Sequence, residues 1–311
     1  MTTKTPITIV SSDNNVTSHI TDQKEEIKNV AVSSDVTKDQ DENNKTRIDS
    51  VDLVASEDTR TIKKEPTIDI DISMDKLNLG PKKKLLVIPL GGIIVHRAHI
   101  SRPSTILKNR RPDLSYGNFL IYKRPFVKEF LKFCFERFEV GIWSSAREHN
   151  LEGVLNNVMG ELKSKLLFTW DQNQCTDTGF KCLDNRDKPL FLKELSNLWE
   201  KKYPNLPWRN GEYSSSNTLL ITDRVKTLVN PPNTAIFPGV YDPGNMEDNF
   251  LGPGGELRVF LEGLAEAKDV PTYVKDHPIG EPAITASDPD WHYYAQVIRA
   301  FGKKKTFGNK K

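Results

Sequence analysis

The apolar residues of this chain fall in short dense runs, and the first of them is Leu85-Leu86-Val87-Ile88. Four consecutive aliphatics behind three lysines, Lys82 to Lys84, fit a parallel strand buried on both faces. Pro89 then removes a backbone donor and Gly91-Gly92 opens a turn, so the strand stops at its carboxyl end. Similar runs predict strands at Phe119-Leu120-Ile121-Tyr122, over 139–145, over 165–170 and over 217–221, with a short final strand leading to Ile236. Between them the apolar period changes to that of a helix. Phe126, Phe130, Phe133, Cys134 and Phe138 predict a helix over 125–138, with Pro125 in its first turn. That stripe is core packing rather than a ligand box. Further helices are expected over 149–162, over 189–201 (Leu190, Leu192, Leu195, Leu198, Trp199), over 256–267 and, more briefly, over 291–301. The stretch from His96 to Arg111 reads as a basic loop. Residues 171–178 read as a polar loop closed by Gly179-Phe180-Lys181. Strands alternating with helices predict an α/β fold, a central mostly parallel sheet flanked by helices. Ligands bind such sheets at the carboxyl ends of the strands.

Composition changes the picture at the N-terminus. Hydrophobic residues make up 37% of the 311, and mean hydropathy is −0.53. The deficit is uneven, because the first aromatic residue is Tyr116. Residues 1–80 carry 16 acidic and 10 basic side chains, and the remainder 26 and 34. A polar, aromatic-free segment cannot bury enough apolar area to offset chain entropy, so 1–80 is expected to be disordered. Within it Ile68 to Ile72 alternates with a strand period, and Ile62-Lys63-Lys64-Glu65 resembles a sumoylation consensus. The domain organisation expected is a disordered 1–80, a folded 81–275 and a C-terminal extension over 276–311 that ends in lysines. Three cysteines, Cys134, Cys175 and Cys182, have no C-x-x-C spacing, which disfavours a disulfide framework or a zinc site. No run of 18 apolar residues suggests a membrane span, and no presequence pattern is apparent.

One set of motifs points further. The strand 85–88 runs into Pro89-Leu90-Gly91-Gly92-Ile93-Ile94-Val95. Lys123-Arg124-Pro125 is followed by Phe130-Leu131, and Asn230-Pro231-Pro232-Asn233 precedes the last strand. Over about residues 83–275 this resembles the small CTD-phosphatase-like (NLI-interacting-factor-like) branch of the haloacid dehalogenase superfamily. The family's first strand ends in Asp-x-Asp-Gly-Thr-Leu-Val. Gly92, Ile94 and Val95 fit that frame. The nucleophile's position is Pro89, the acid/base position is Gly91, and the threonine's position is Ile93. The resemblance implies a haloacid-dehalogenase-like Rossmannoid fold. It also implies that Ser144 stands where the family bonds the phosphoryl group. Lys193, with Lys188 second, matches the charge-neutralising lysine. The Mg²⁺-anchoring acid is replaced by Thr222, followed by Asp223 and Arg224.

The implied chemistry needs an attacking carboxylate, a second carboxylate to protonate the leaving group, Mg²⁺, and cationic support for the phosphoryl oxygens. Proline and glycine supply neither attack nor proton transfer. The resemblance therefore implies a pseudophosphatase with no catalytic residues and no metal, Mg²⁺ belonging to active relatives. Ser144, Lys193, Asp223 and Arg224 are its remaining phosphate-site candidates. A cleft stripped of acids and given Arg224 favours anions. The expected role is a protein-interaction module for phosphorylated or acidic segments, nuclear or cytoplasmic, with neither membrane nor nucleic acid as partner. Two other readings stand beside it. One is an active Mg²⁺-dependent protein-serine/threonine phosphatase of the RNA polymerase II CTD type, drawing on Asp113, Asp171 or Asp223. The other is a component resembling the mitochondrial presequence translocase member of the family.

Overall fold

The computed structural model describes residues 82–308. The expectations for 1–80, including the Ile68 to Ile72 alternation and the Ile62 to Glu65 match, lie outside the described residues. Five parallel strands form the main sheet: β1 (Leu85–Ile88), β5 (Glu139–Trp143), β6 (Phe168–Trp170), β9 (Thr218–Ile221) and β10 (Ala235–Ile236). Their order is β10-β9-β1-β5-β6, so β1 lies at the centre and pairs with β5 on one side and β9 on the other. The alternation of a strand divides its side chains between two cores. Leu86 and Ile88 enter one with helices α1 (Val127–Arg137), α2 (Glu148–Met159) and α4 (Glu256–Glu266). Leu85 and Val87 enter the other, built on Trp143, Trp170, Trp208 and Tyr213. Aliphatic residues on both faces are what a doubly covered parallel strand requires.

The helices over α1, α2 and α4 follow the sequence pattern, with one shift. Pro125 is not in the first turn of α1, which starts at Val127 behind Phe126 with a left-handed φ of 63°. A further helix, α5 (Val270–Asp276), is capped by the Asp269 carboxylate, which accepts from the Thr272 amide at 2.9 Å.

Three expectations are corrected. The basic loop opens as strand β2 (Val95–His99), which pairs antiparallel with β4 (Phe119–Lys123), and β3 (Leu114–Tyr116) completes a small sheet. Charge hid β2, because its ladder comes from a partner strand separated from it by a long excursion of the chain. The polar loop is a short 3-10 turn that runs into a strand, β7 (Thr176–Lys181), paired with β8 (Pro189–Leu192). The helix expected over 189–201 is therefore strand first and only one helical turn afterwards, α3 (Ser196–Trp199). Leu190 and Leu192 obey a period of two, and the helical spacing holds only from Leu195 to Leu198. Gly153 lets α2 lie directly on β3, because a Cβ there would run into the Tyr116 ring.

The C-terminal extension folds back onto the domain. Glu281 N–H donates to Phe237 O at 3.0 Å, continuing the sheet edge beyond β10. Helix α6 (Trp291–Gly308) then stands over β7: Tyr293 donates its hydroxyl to Lys181 O and packs edge-on against Phe180 at 5.9 Å.

Candidate functional site

The candidate site is the carboxyl end of β1, where the neighbouring ends of β5 and β9 converge. Pro89 is buried there, and Gly92 turns the chain with φ 84° toward β2. Ile93 points into the core. On the β9 side, Thr222 is 4% exposed and its Oγ1 has no hydrogen-bond partner among the described residues. The three positions where the resemblance implies carboxylates thus carry an imino acid, a hydrogen and an orphaned hydroxyl.

Ser144 is buried just past β5. Its amide donates to Trp170 O at 2.8 Å, and its Oγ accepts from the Ala146 amide at 3.1 Å, the bond of a serine turn. Lys193 is only 1% exposed, and its Nζ donates to Trp143 O at 2.7 Å. Burial, reinforced by the Lys226 charge, pulls its pKa down to about 7 despite Cys175 and Asp223 nearby. Asp223 has a half-exposed side chain, 53%, and pairs with Lys226 at 2.5 Å. Burial pushes its pKa up, but Lys226, with Lys193 and Lys188 behind, outweighs that and holds it below the usual carboxylate range. Arg224 faces the C-terminal extension. It donates to Pro282 O at 2.7 Å and pairs with Glu281 at 3.2 Å and with Asp288. The guanidinium that the sequence placed in the cleft is therefore already held by two carboxylates. The acids that could replace a missing nucleophile are similarly engaged. Asp113 pairs with Arg110 at 3.2 Å and accepts from the Lys123 amide, and Asp171 caps a short 3-10 turn through the Asn173 amide at 2.7 Å.

Two grooves flank this point. The one on the β9 side, about 560 Å³, is lined by Ser145, Lys188, Thr222, Asp223 and Lys226 and roofed by Glu281, Tyr293 and Tyr294 of the extension. The one on the β5 side, about 790 Å³, lies between the β2–β4 sheet and the start of α2. Arg97 of β2 lines the latter. A Cβ at Gly91 would stand 3.6 Å from its Nε and 3.7 Å from its Nη2. Sequence reasoning placed Arg97 in a loop. Its only signal was its position shortly after Gly91.

The NLI interacting factor-like phosphatase model matches residues 84–271, more than half of the chain. The chain belongs to this family. An uncharacterized FCP1 homology domain-containing protein of Schizosaccharomyces pombe is 28% identical over 155 residues, which are 49% of this chain and 59% of that protein. The chain thus matches less than two thirds of that relative's length. Two solved structures are similar at 14% identity and a TM-score of 0.33. A point variant of the fission yeast RNA polymerase II CTD phosphatase Fcp1, bound to beryllium fluoride, shares 74% of this chain and 67% of its own. A second Fcp1 structure, of an essential RNA polymerase II CTD phosphatase, shares 70% and 62%. The central parallel sheet with flanking helices is the α/β architecture that the sequence predicts.

Active members of the family, as their motif implies, hold Mg²⁺ on carboxylates. The donor set here does not fit that ion, which demands several hard oxygens in near-octahedral array. Asp223 is the one acid at the positions that the resemblance assigns to the motif, and Lys226 already pairs with it. Among the described residues no group of three His, Cys, Asp or Glu side chains could hold a metal.

Proposed function

We propose that this member of the NLI interacting factor-like family is catalytically inactive and acts as a protein-interaction module for phosphorylated or acidic segments. One observation carries the reading: Pro89 and Gly91 occupy the positions of both aspartates of the family motif. Neither can attack phosphorus or move a proton, and loss of a covalent nucleophile costs several orders of magnitude in rate. The partner is a protein, and the compartment is nuclear or cytoplasmic. Among the described residues no helix is long and apolar enough to cross a membrane.

Turnover tests the reading. The full chain is assayed on para-nitrophenyl phosphate and a phosphoserine peptide, with and without Mg²⁺. Beside it runs a variant carrying Pro89→Asp, Gly91→Asp, Ile93→Thr and Thr222→Asp. The wild type is expected to show no Mg²⁺-dependent turnover and the variant to gain some. Gly91 has room for the change, since its nearest neighbour is the Arg97 guanidinium. Mg²⁺-dependent hydrolysis by the wild type sinks the proposal.

A further inference from the structure

We propose that the β5-side groove, gripped by Arg97 and Arg147, binds the phosphomonoester of a phosphoserine or phosphothreonine peptide directly, without metal. The inference rests on the inactive-module reading and gives that module its binding site. In place of a carboxylate that would recruit Mg²⁺ to hold a phosphate, the chain sets a guanidinium beside the bare Gly91.

Four observations converge. Arg97 is half-buried and stacked over the Phe119 ring at 5.4 Å, so its position is fixed. Arg110, Arg124 and Arg224 each carry a carboxylate partner. Arg97 and Arg147 carry none among the described residues, and burial lowers the pKa of Arg97 with no neighbouring acid to offset it. An incoming dianion supplies the missing partner, in the planar two-point geometry that guanidinium favours.

The second observation is the groove's charge. Arg97, Arg147, His99 and His149 line it, and no Asp or Glu does. The groove on the β9 side mixes Lys188 and Lys226 with Asp184, Asp223, Glu281 and Asp290. Third, α2 begins at this groove, and no side chain caps its N-terminus. Arg147 at its N-cap and His149 in its first turn both line the groove. Fourth, the extension roofs the other groove and contributes no residue to this one. A volume of about 790 Å³ accommodates several peptide residues around one phosphate, with Asn150 and Gln172 available to bond a peptide backbone.

The test uses the full-length protein and a fluorescent phosphoserine peptide mixture with randomised flanks. The comparisons are the unphosphorylated mixture, inorganic phosphate and a single-stranded oligonucleotide. The phosphorylated mixture is expected to bind and the unphosphorylated one to bind at least tenfold more weakly. EDTA is expected to change nothing. Arg97→Gln and Arg147→Gln are each expected to weaken binding roughly tenfold or more, the loss of one charge-assisted contact. Arg147 is exposed, so its variant reports binding without a folding cost. Lys188→Gln with Lys226→Gln is expected to leave affinity within about threefold. Binding that survives both arginine variants and falls with the lysine pair overturns this site and leaves the inactive-module reading standing. Binding of the oligonucleotide above the phosphopeptide, equal binding of the unphosphorylated mixture, or response to inorganic phosphate alone also overturns it. So does no binding of any probe. The turnover assay judges the inactive reading separately in each case.

Discussion

Replacing Arg124 by alanine is expected to lower the unfolding free energy by about 3–5 kcal/mol. The residue follows β4, and its guanidinium makes a two-point bond to Asp248, at 2.9 Å from Nε and 2.8 Å from Nη2. The two side chains are only 6% and 9% exposed. The same guanidinium stacks over Phe250 at 4.3 Å and Tyr241 at 5.2 Å. Alanine removes all of this and leaves the Asp248 carboxylate, only 9% exposed, with the Phe250 amide but without its counter-charge. That stranded charge, more than the lost attraction, sets the size of the effect. A second variant separates the two: Arg124→Met combined with Asp248→Leu strands nothing and is expected to recover most of the loss. Urea unfolding of the wild type, both single variants and the pair completes the cycle. A single-variant loss under about 1 kcal/mol, the level of an exposed pair, would show that water reaches this ion pair.

Lys193→Met is expected to stabilise the fold at neutral pH and to lose that advantage in alkali. The folded-state pKa is about 7 against an ordinary 10.5. Between those values the unfolded chain holds a proton that the folded chain lacks. Stability contributed by this site therefore rises as pH rises through the window and is fully restored above the unfolded value. Below about 7 both states are protonated, and the penalty is constant and at its largest. A displacement of that size corresponds to a penalty on the order of 4–5 kcal/mol. Methionine removes the buried charge but leaves Trp143 O without its donor, a cost of about 1–3 kcal/mol. The net gain expected near about pH 6 is a few kcal/mol, falling to zero or reversing near about pH 10. Denaturant melts at those two pH values measure it. A difference between the proteins that does not change with pH would mean that Lys193 titrates normally.

The sequence spoke clearly where a residue's identity carried the information and poorly where a distant partner did. Leu85 to Ile88 were legible as the central strand because four aliphatics in a row need two covered faces. That residues 89 and 91 carry no carboxylate was legible too, since a proline and a glycine lack one whatever surrounds them. Strands β2 and β7 were not, because their residues are polar and only pairing with β4 and β8 makes them strands. The fates of the cations were the least visible. Arg224 is neutralised by Glu281 and Asp288, far along the chain, and Lys193 is sealed beneath Trp143. Arg97 stands against Gly91 because the turn after β1 brings Val95, at the start of β2, back against Gly91.

The folded-back extension has a bearing on how such a chain is handled at the bench. The exposed ion pair that Arg224 makes with Glu281 is by itself worth little in water. The tether changes the arithmetic, because a covalently joined ligand faces its site at an effective concentration that reaches the millimolar range for short links. Glu281 and Asp288 therefore act as a resident competitor for Arg224. A fragment that stops at 271, where the family match ends, discards that competitor and bares the guanidinium together with the groove beneath Tyr293. Anion binding measured on the fragment would then report an affinity that the intact chain keeps to itself.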